Sequence, residues 1–214
     1  MPVVPPHPPS NSVGAGYQTR PRSSLRVLGL AALFAVACGP PPKQPAPPDP
    51  ELRGFSAPPD IVLDVACTPT GLETCFDAVD NNCNGAIDEG CGVRTGVVQF
   101  SIAWSDPTAD VDLAVTDPAG ELARVRDTTE LGLVKDRDCP GENDACHGQN
   151  TENVYLVHRR VPRGSYRVVV RLNRLGQTSP PLRVQLGARV GQRSYATEIE
   201  LEAVDDERQL TFEM

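Results

Sequence analysis

The chain has 214 residues, a net charge of −8 and seven cysteines. That length accommodates one ordinary domain with extensions. No basic run or stripe offsets the acids, which excludes nucleic acid as a partner and disfavours electrostatic binding to anionic membrane surfaces.

Residues 1–37 read as an export signal. Arg20, Arg22 and Arg26 precede an apolar run, Val27–Ala37, that is too short to be a stable membrane span. The run ends in Ala35-Val36-Ala37-Cys38-Gly39, which resembles a lipobox and implies lipidation of Cys38. The same residues also fit an ordinary signal peptide cleaved after Ala37. No Asp follows the cysteine, so the expected address is the outer membrane or cell surface, with the membrane as partner through the lipid.

Residues 38–60 hold nine prolines, which forbid helix and sheet interior and predict an extended linker. The N-terminal region up to residue 60 is expected to be disordered. Residues 61–94 are rich in cysteine and acid and poor in apolar side chains. Their order must come from disulfides, from metal or from docking on a neighbour. In an exported protein six cysteines, Cys67, Cys75, Cys83, Cys91, Cys139 and Cys146, predict disulfides. The first four allow three connectivities, and the last two close a short loop, Cys139–Cys146, that is the first guess for partner contact.

Within that stretch the spacing matches a calcium loop. Asp80 falls at position 1, Asn82 at 3, Asn84 at 5, Gly85 at the turn, the Ala86 carbonyl at 7, Ile87 at the apolar position and Asp88 at 9. Position 12 is Cys91, so Glu89, Asp88 or water must complete the shell. A cysteine-stapled acidic knot without metal is the alternative. The run Gly71-x-Glu73-x-Cys75-x-Asp77-x-x-Asp80-Asn81-x-Cys83-x-Gly85-x-x-Asp88-Glu89-x-Cys91 resembles the metal-binding motif of MopE-type bacterial surface proteins. It departs at Ala78, where that family usually has Gly, and at Asn82 and Asn84, where it often has Asp. The family name suggests copper, but copper prefers His, Met or thiolate. The oxygens of this motif favour a weak calcium site, with copper less favoured.

From Val97 the period becomes two. Alternation over Val98–Trp104, Val111–Val115, Tyr166–Leu172, Leu182–Leu186, Glu198–Glu202 and Leu210–Phe212, with shorter candidates near 121–126, 131–135 and 154–158, predicts strands with one wet and one buried face. The expected fold is mainly β: an antiparallel β-sandwich over 95–214, Ig-like or jelly-roll-like, preceded by the small disulfide-rich module. The phrase from Trp104 to Gly120, with Asn150–Tyr155 and Pro162–Tyr166, resembles an uncharacterised family of secreted bacterial β-sandwich domains. That resemblance implies fold rather than activity.

Asp106, Asp110, Asp112 and Asp117 crowd one hairpin. Asp136, Asp138, Glu142 and Asp144 crowd another loop. If the two met they could hold a second cation; solvated loop acids are the commoner explanation. Trp104, Tyr155, Tyr166 and Tyr195 form either a sugar-stacking platform or core. His147 and His158 lie in no nucleophile or metalloprotease motif, so no catalytic residue is assigned and the protein is not expected to be an enzyme. The reading is a non-catalytic, calcium-stabilised binding or structural lipoprotein whose partner is a surface protein or glycan. Its rivals are an adhesin-like or carbohydrate-binding sandwich and an accessory subunit of a secreted hydrolase.

Overall fold

The computed structural model describes residues 49–64, 69, 71–139 and 149–214, which belong to one compact unit, Pro45–Met214. The export signal, Cys38, Cys67, Glu142, Asp144, Cys146 and His147 lie outside the described residues. Among the described residues there are nine strands and no helix. These are β1 (Gly54–Ser56), β2 (Val98–Trp104), β3 (Asp110–Thr116), β4 (Leu133–Arg137), β5 (Thr151–Leu156), β6 (Ser165–Arg174), β7 (Leu182–Val190), β8 (Arg193–Leu201) and β9 (Glu207–Glu213).

They form two antiparallel sheets, β1-β9-β6-β3 and β4-β5-β2-β7-β8. Alternating apolar residues from both sheets fill the space between them, as in a sandwich core. Phe100 meets Phe212 and Tyr166 at centroid distances of 5.0 and 6.4 Å, and Phe55 meets Phe212 at 5.1 Å. Each such aromatic pair adds roughly 0.5–1.5 kcal/mol beyond simple burial. The Tyr166 hydroxyl donates to the Pro162 carbonyl at 3.0 Å, pinning the turn that leads into β6.

Three expectations change. The Pro-rich linker does not extend to residue 60: Gly54–Ser56 forms an edge strand on β9, and Leu52, Phe55 and Ala57 pack on the core. The prolines permit this because β1 is a short edge strand that lies between Pro50 and Pro58 and contains neither. Residues 121–126 form no strand; Leu122 and Val125 make only isolated bridges, to Thr116 and Lys135. The expected wet face is absent from β2 and β5, whose residues are buried on both sides. On β6 it is present, with Arg167 and Arg171 exposed between buried neighbours.

The second cover on β2 is the cysteine-rich segment. Gln99 points outward and donates its amide to the Ile87 carbonyl at 3.0 Å. Ile87 is fully buried. At Gly187 on β7 a Cβ would lie 2.1 Å from the Ala78 carbonyl oxygen, so only glycine admits so close a backbone approach. Asp80 accepts the Ser194 hydroxyl of β8 at 2.7 Å. The Arg137 guanidinium of β4 stacks over Phe76 at 4.8 Å.

Candidate metal centre

The segment from Gly71 to Gly92 contains no strand, only successive turns. Its sharp path uses left-handed backbone at Phe76, Ala78, Cys83 and Asp88 as well as at Gly85 and Gly90. Ala78 has φ near +58°, which accounts for the glycine usual at this place in the MopE-type motif. The Cys75–Cys91 disulfide closes the loop; a loop of this length removes about 3 kcal/mol of unfolded-state freedom in the chain-entropy picture. Cys83 and Cys139 are disulfide-bonded as well.

Carboxylates organise the interior of the module. Asp88 is fully buried and accepts the backbone N–H groups of Phe76, Asp77 and Ala78 at 2.6, 3.2 and 3.2 Å. Glu73 accepts those of Asn81 and Asp88 at 3.1 and 2.9 Å. Loss of water raises both: Asp88 to about 6, with the charge of Asp77 adding to it, and Glu73 to about 7, with the charge of Glu89 adding. Asp88, assigned by spacing to ligand position 9, thus has both oxygens engaged by backbone donors.

The remaining positions of the loop converge. Asp80 accepts the N–H of Asn84 on one oxygen at 3.1 Å and that of Gly85 on the other at 2.9 Å. Asn82 and Asn84 each accept a backbone N–H two residues on, from Asn84 and Ala86, at 3.1 and 2.8 Å. These bonds coil the chain so that alternate side chains share one side. Glu89 closes it: its Oε1 contacts the amide nitrogens of both Asn82, at 2.5 Å, and Asn84. Its Oε2 is buried and receives no hydrogen bond. A buried carboxylate oxygen without a donor is costly, and a hard cation among Asp80, Asn82, Asn84 and Glu89 would satisfy it. Of the residues proposed to fill the place of Cys91, the structure brings Glu89 to the asparagines. Arg189, whose guanidinium is pushed down by burial, lies within the field of Asp80, Asp49 and Glu89. It therefore partly neutralises the loop from the sheet side.

A second group of acids meets at the open seam of the sandwich. One oxygen from each of Asp112, Asp138 and Glu152 lies within 4.8 Å of the others. Asp112 and Asp138 come from the two acid-rich segments that the sequence set apart. Glu152 was not singled out, although the alternation of Glu152, Val154 and Leu156 places it on the core face of β5. Lys135 was likewise missed; it bridges Asp138 and Glu152 at 2.5 and 2.8 Å. Asp106 and Asp117 are elsewhere, capping turns through Thr108 and Thr178 and through Ala119 and Glu121. Asp136 instead accepts from Asn153 and the Arg94 N–H.

Trp104, Tyr155, Tyr166 and Tyr195 are all buried, so none belongs to an exposed stacking platform. His158 is exposed and lies against Gly132.

Residues 63–89 match the family model Cu-binding_MopE, described as "Putative metal-binding motif". The matched segment is therefore similar to that family's metal-binding module, and it ends on Glu89. No curated protein and no solved structure matches the chain.

Proposed function

We propose that the protein is an exported, non-catalytic surface module whose Asp80–Glu89 loop takes up calcium. The observation that carries this is the unsatisfied, buried Glu89 Oε2, on a carboxylate whose other oxygen meets Asn82 and Asn84. The donor chemistry supports calcium over copper. Every polar side chain converging there offers oxygen or amide, the segment 71–92 contains no His or Met, and Cys75, Cys83 and Cys91 are in disulfides and cannot serve as thiolates. Two of the four side chains are neutral amides, which points to modest affinity, because ligand charge tunes calcium binding. The bound ion would neutralise the carboxylates and lock the turns that cover β2, β7 and β8. A site of this kind presents a folded surface rather than a reaction centre.

The test is thermal unfolding of the purified protein in millimolar calcium and in chelator. Calcium should raise the Tm, by the linkage between binding and stability. Glu89→Gln should abolish the rise; it removes the charge while keeping the side-chain shape. Asp80→Ala is a blunter probe, since it also removes two backbone hydrogen bonds. An identical Tm in calcium and chelator would overturn the reading. The anchoring part of the proposal rests on Ala35–Gly39: Cys38→Ser should move the protein from the membrane fraction to the soluble one, and a variant that still pellets refutes the lipid.

A further inference from the structure

The acids at the seam between the two sheets form a second cluster, remote in sequence from the Asp80 loop. The outer edge of β3 meets β5 there, through the Leu113 N–H on Glu152. The register slips between Asp110 and Val111 of β3, where β6 carries the extra residue Asn173, and between Lys135 and Arg137 of β4, and both irregularities flank the cluster. Bulges re-aim side chains at sheet edges, and here they accompany the convergence of Asp112, Asp138 and Glu152.

Glu152 has a fully buried side chain. Its Oε2 is engaged by the Leu113 N–H at 2.6 Å and by Lys135 at 2.8 Å. Its Oε1 is buried and receives no hydrogen bond, and the same holds for Asp110 Oδ1. Four carboxyl groups, Asp110, Asp112, Asp138 and Glu152, meet Lys135 on Asp138 and Glu152, Arg174 at 3.9 Å from Asp110, and the positive field of Arg171 at Asp112. The Asp138 and Glu152 carboxyls also share a hydrogen bond, beside a Glu152 oxygen that lacks a donor. Asn173 fixes Asp112 by donating to it at 2.6 Å, so that side chain is held in place. Oxygens that share one calcium at 2.3–2.6 Å lie no more than about 5 Å apart, which is the spacing of the three convergent oxygens.

We infer that Asp112, Asp138 and Glu152 form a second divalent-cation site, of calcium type, that ties the edge of β3 to β4 and β5. Lys135 is the internal competitor for that site. Its ammonium lies against two of the three carboxylates, so ion binding must weaken or displace that contact. The site therefore has a signature that a plain salt-bridge network lacks: removal of a native positive charge tightens it.

Calorimetric titration of the Glu89→Gln protein with calcium chloride tests this with the loop site silenced. One calcium should still bind. D112N/D138N should weaken that binding at least tenfold, and K135M should tighten it several-fold. Absence of calcium uptake by the Glu89→Gln protein overturns the inference, and so does uptake indifferent to D112N/D138N. If the double variant does not fold, K135M alone decides: an affinity unchanged or weakened sinks the site. Failure of the Asp80 loop to bind would leave this result intact, because the wild-type protein would then bind one ion, sensitive to D138N and not to Glu89→Gln.

Discussion

The sandwich and the cysteine-rich module solve the same problem with opposite materials. In the sandwich, Phe100, Tyr166, Phe212 and their aliphatic neighbours are removed from water between two sheets, and backbone groups pair along the ladders. Among the described residues of the module, Ile87 is the one large apolar side chain that is fully buried. The place of a core is taken by Asp88, Glu73 and Asp80, which accept the backbone N–H groups that no ladder serves. A carboxylate can accept several donors at once, so it organises a loop too short to fold by burial. The cost is charge: several carboxylates are crowded into a small volume, which the proposed cation would offset.

This contrast predicts different failures for the two regions. Phe100→Ala should remove about 3–5 kcal/mol from the whole molecule, seen as a lower urea midpoint with one transition for both regions. Asp88→Ala leaves three backbone donors without a partner and should cost on the order of 3 kcal/mol, confined to the module. Hydrogen exchange is the discriminating measurement. The amides of residues 76–78 should lose protection in Asp88→Ala while those of β2 and β7 keep theirs. Equal loss in both regions would mean that the sandwich depends on the module for its fold.

The sandwich was legible because strands advertise themselves by period. Tyr166–Leu172 and Leu182–Leu186 alternate cleanly, and β6 and β7 follow. The module was legible as chemistry rather than as geometry. Spacing aligned Asp80, Asn82 and Asn84, but it could not show that Asp88 turns onto backbone donors while Glu89 reaches the asparagines, because a one-residue choice within a turn leaves no periodic trace. Docking was equally hidden. Gln99 and Ser101 read as wet-face residues, and their burial arises from a partner, Asn153, and a cover, Ile87, that are far away in sequence. Glu152 was concealed by a rule that usually holds, namely that inward strand positions are apolar. β1 was concealed by the prolines on either side of it.

Gly187→Ala breaks the contact between the regions at the point where their backbones approach most closely. The added Cβ falls on the Ala78 carbonyl oxygen and within 3.1 Å of Ile87, so the module must move off β7. A cost of roughly 1–3 kcal/mol is expected, accompanied by faster proteolysis of the module and a lower apparent affinity for calcium at the Asp80 loop. If calcium affinity is unchanged while stability falls, the loop is preorganised by its own disulfides and hydrogen bonds, and the sheet serves only as a support.

Acid should act with opposite sign on Asp106 of the sandwich and on Asp88 and Glu73 of the module, and this is the smallest effect expected. In the sandwich, the hydroxyls of Thr108 and Thr178 and the backbone N–H groups beside them hold the Asp106 carboxyl well below the usual carboxylate range. Its folded pKa is below its unfolded one, so its contribution is present above about pH 4 and is lost as the pH falls below that. In the module, Asp88 and Glu73 lie above their unfolded values. There the folded state binds protons more readily, so the calcium-free module gains stability as the pH drops from about 7 towards 4. Hydrogen exchange in chelator, corrected for the intrinsic rate, should show residues 76–78 better protected at pH 5 than at pH 7. Thermal unfolding below pH 4 should show a fall that Asp106→Asn reduces. With calcium bound, the sign in the module should reverse, because protons then compete with the ion; a module whose pH response is indifferent to calcium would place the ion elsewhere than among Asp80, Asn82, Asn84 and Glu89.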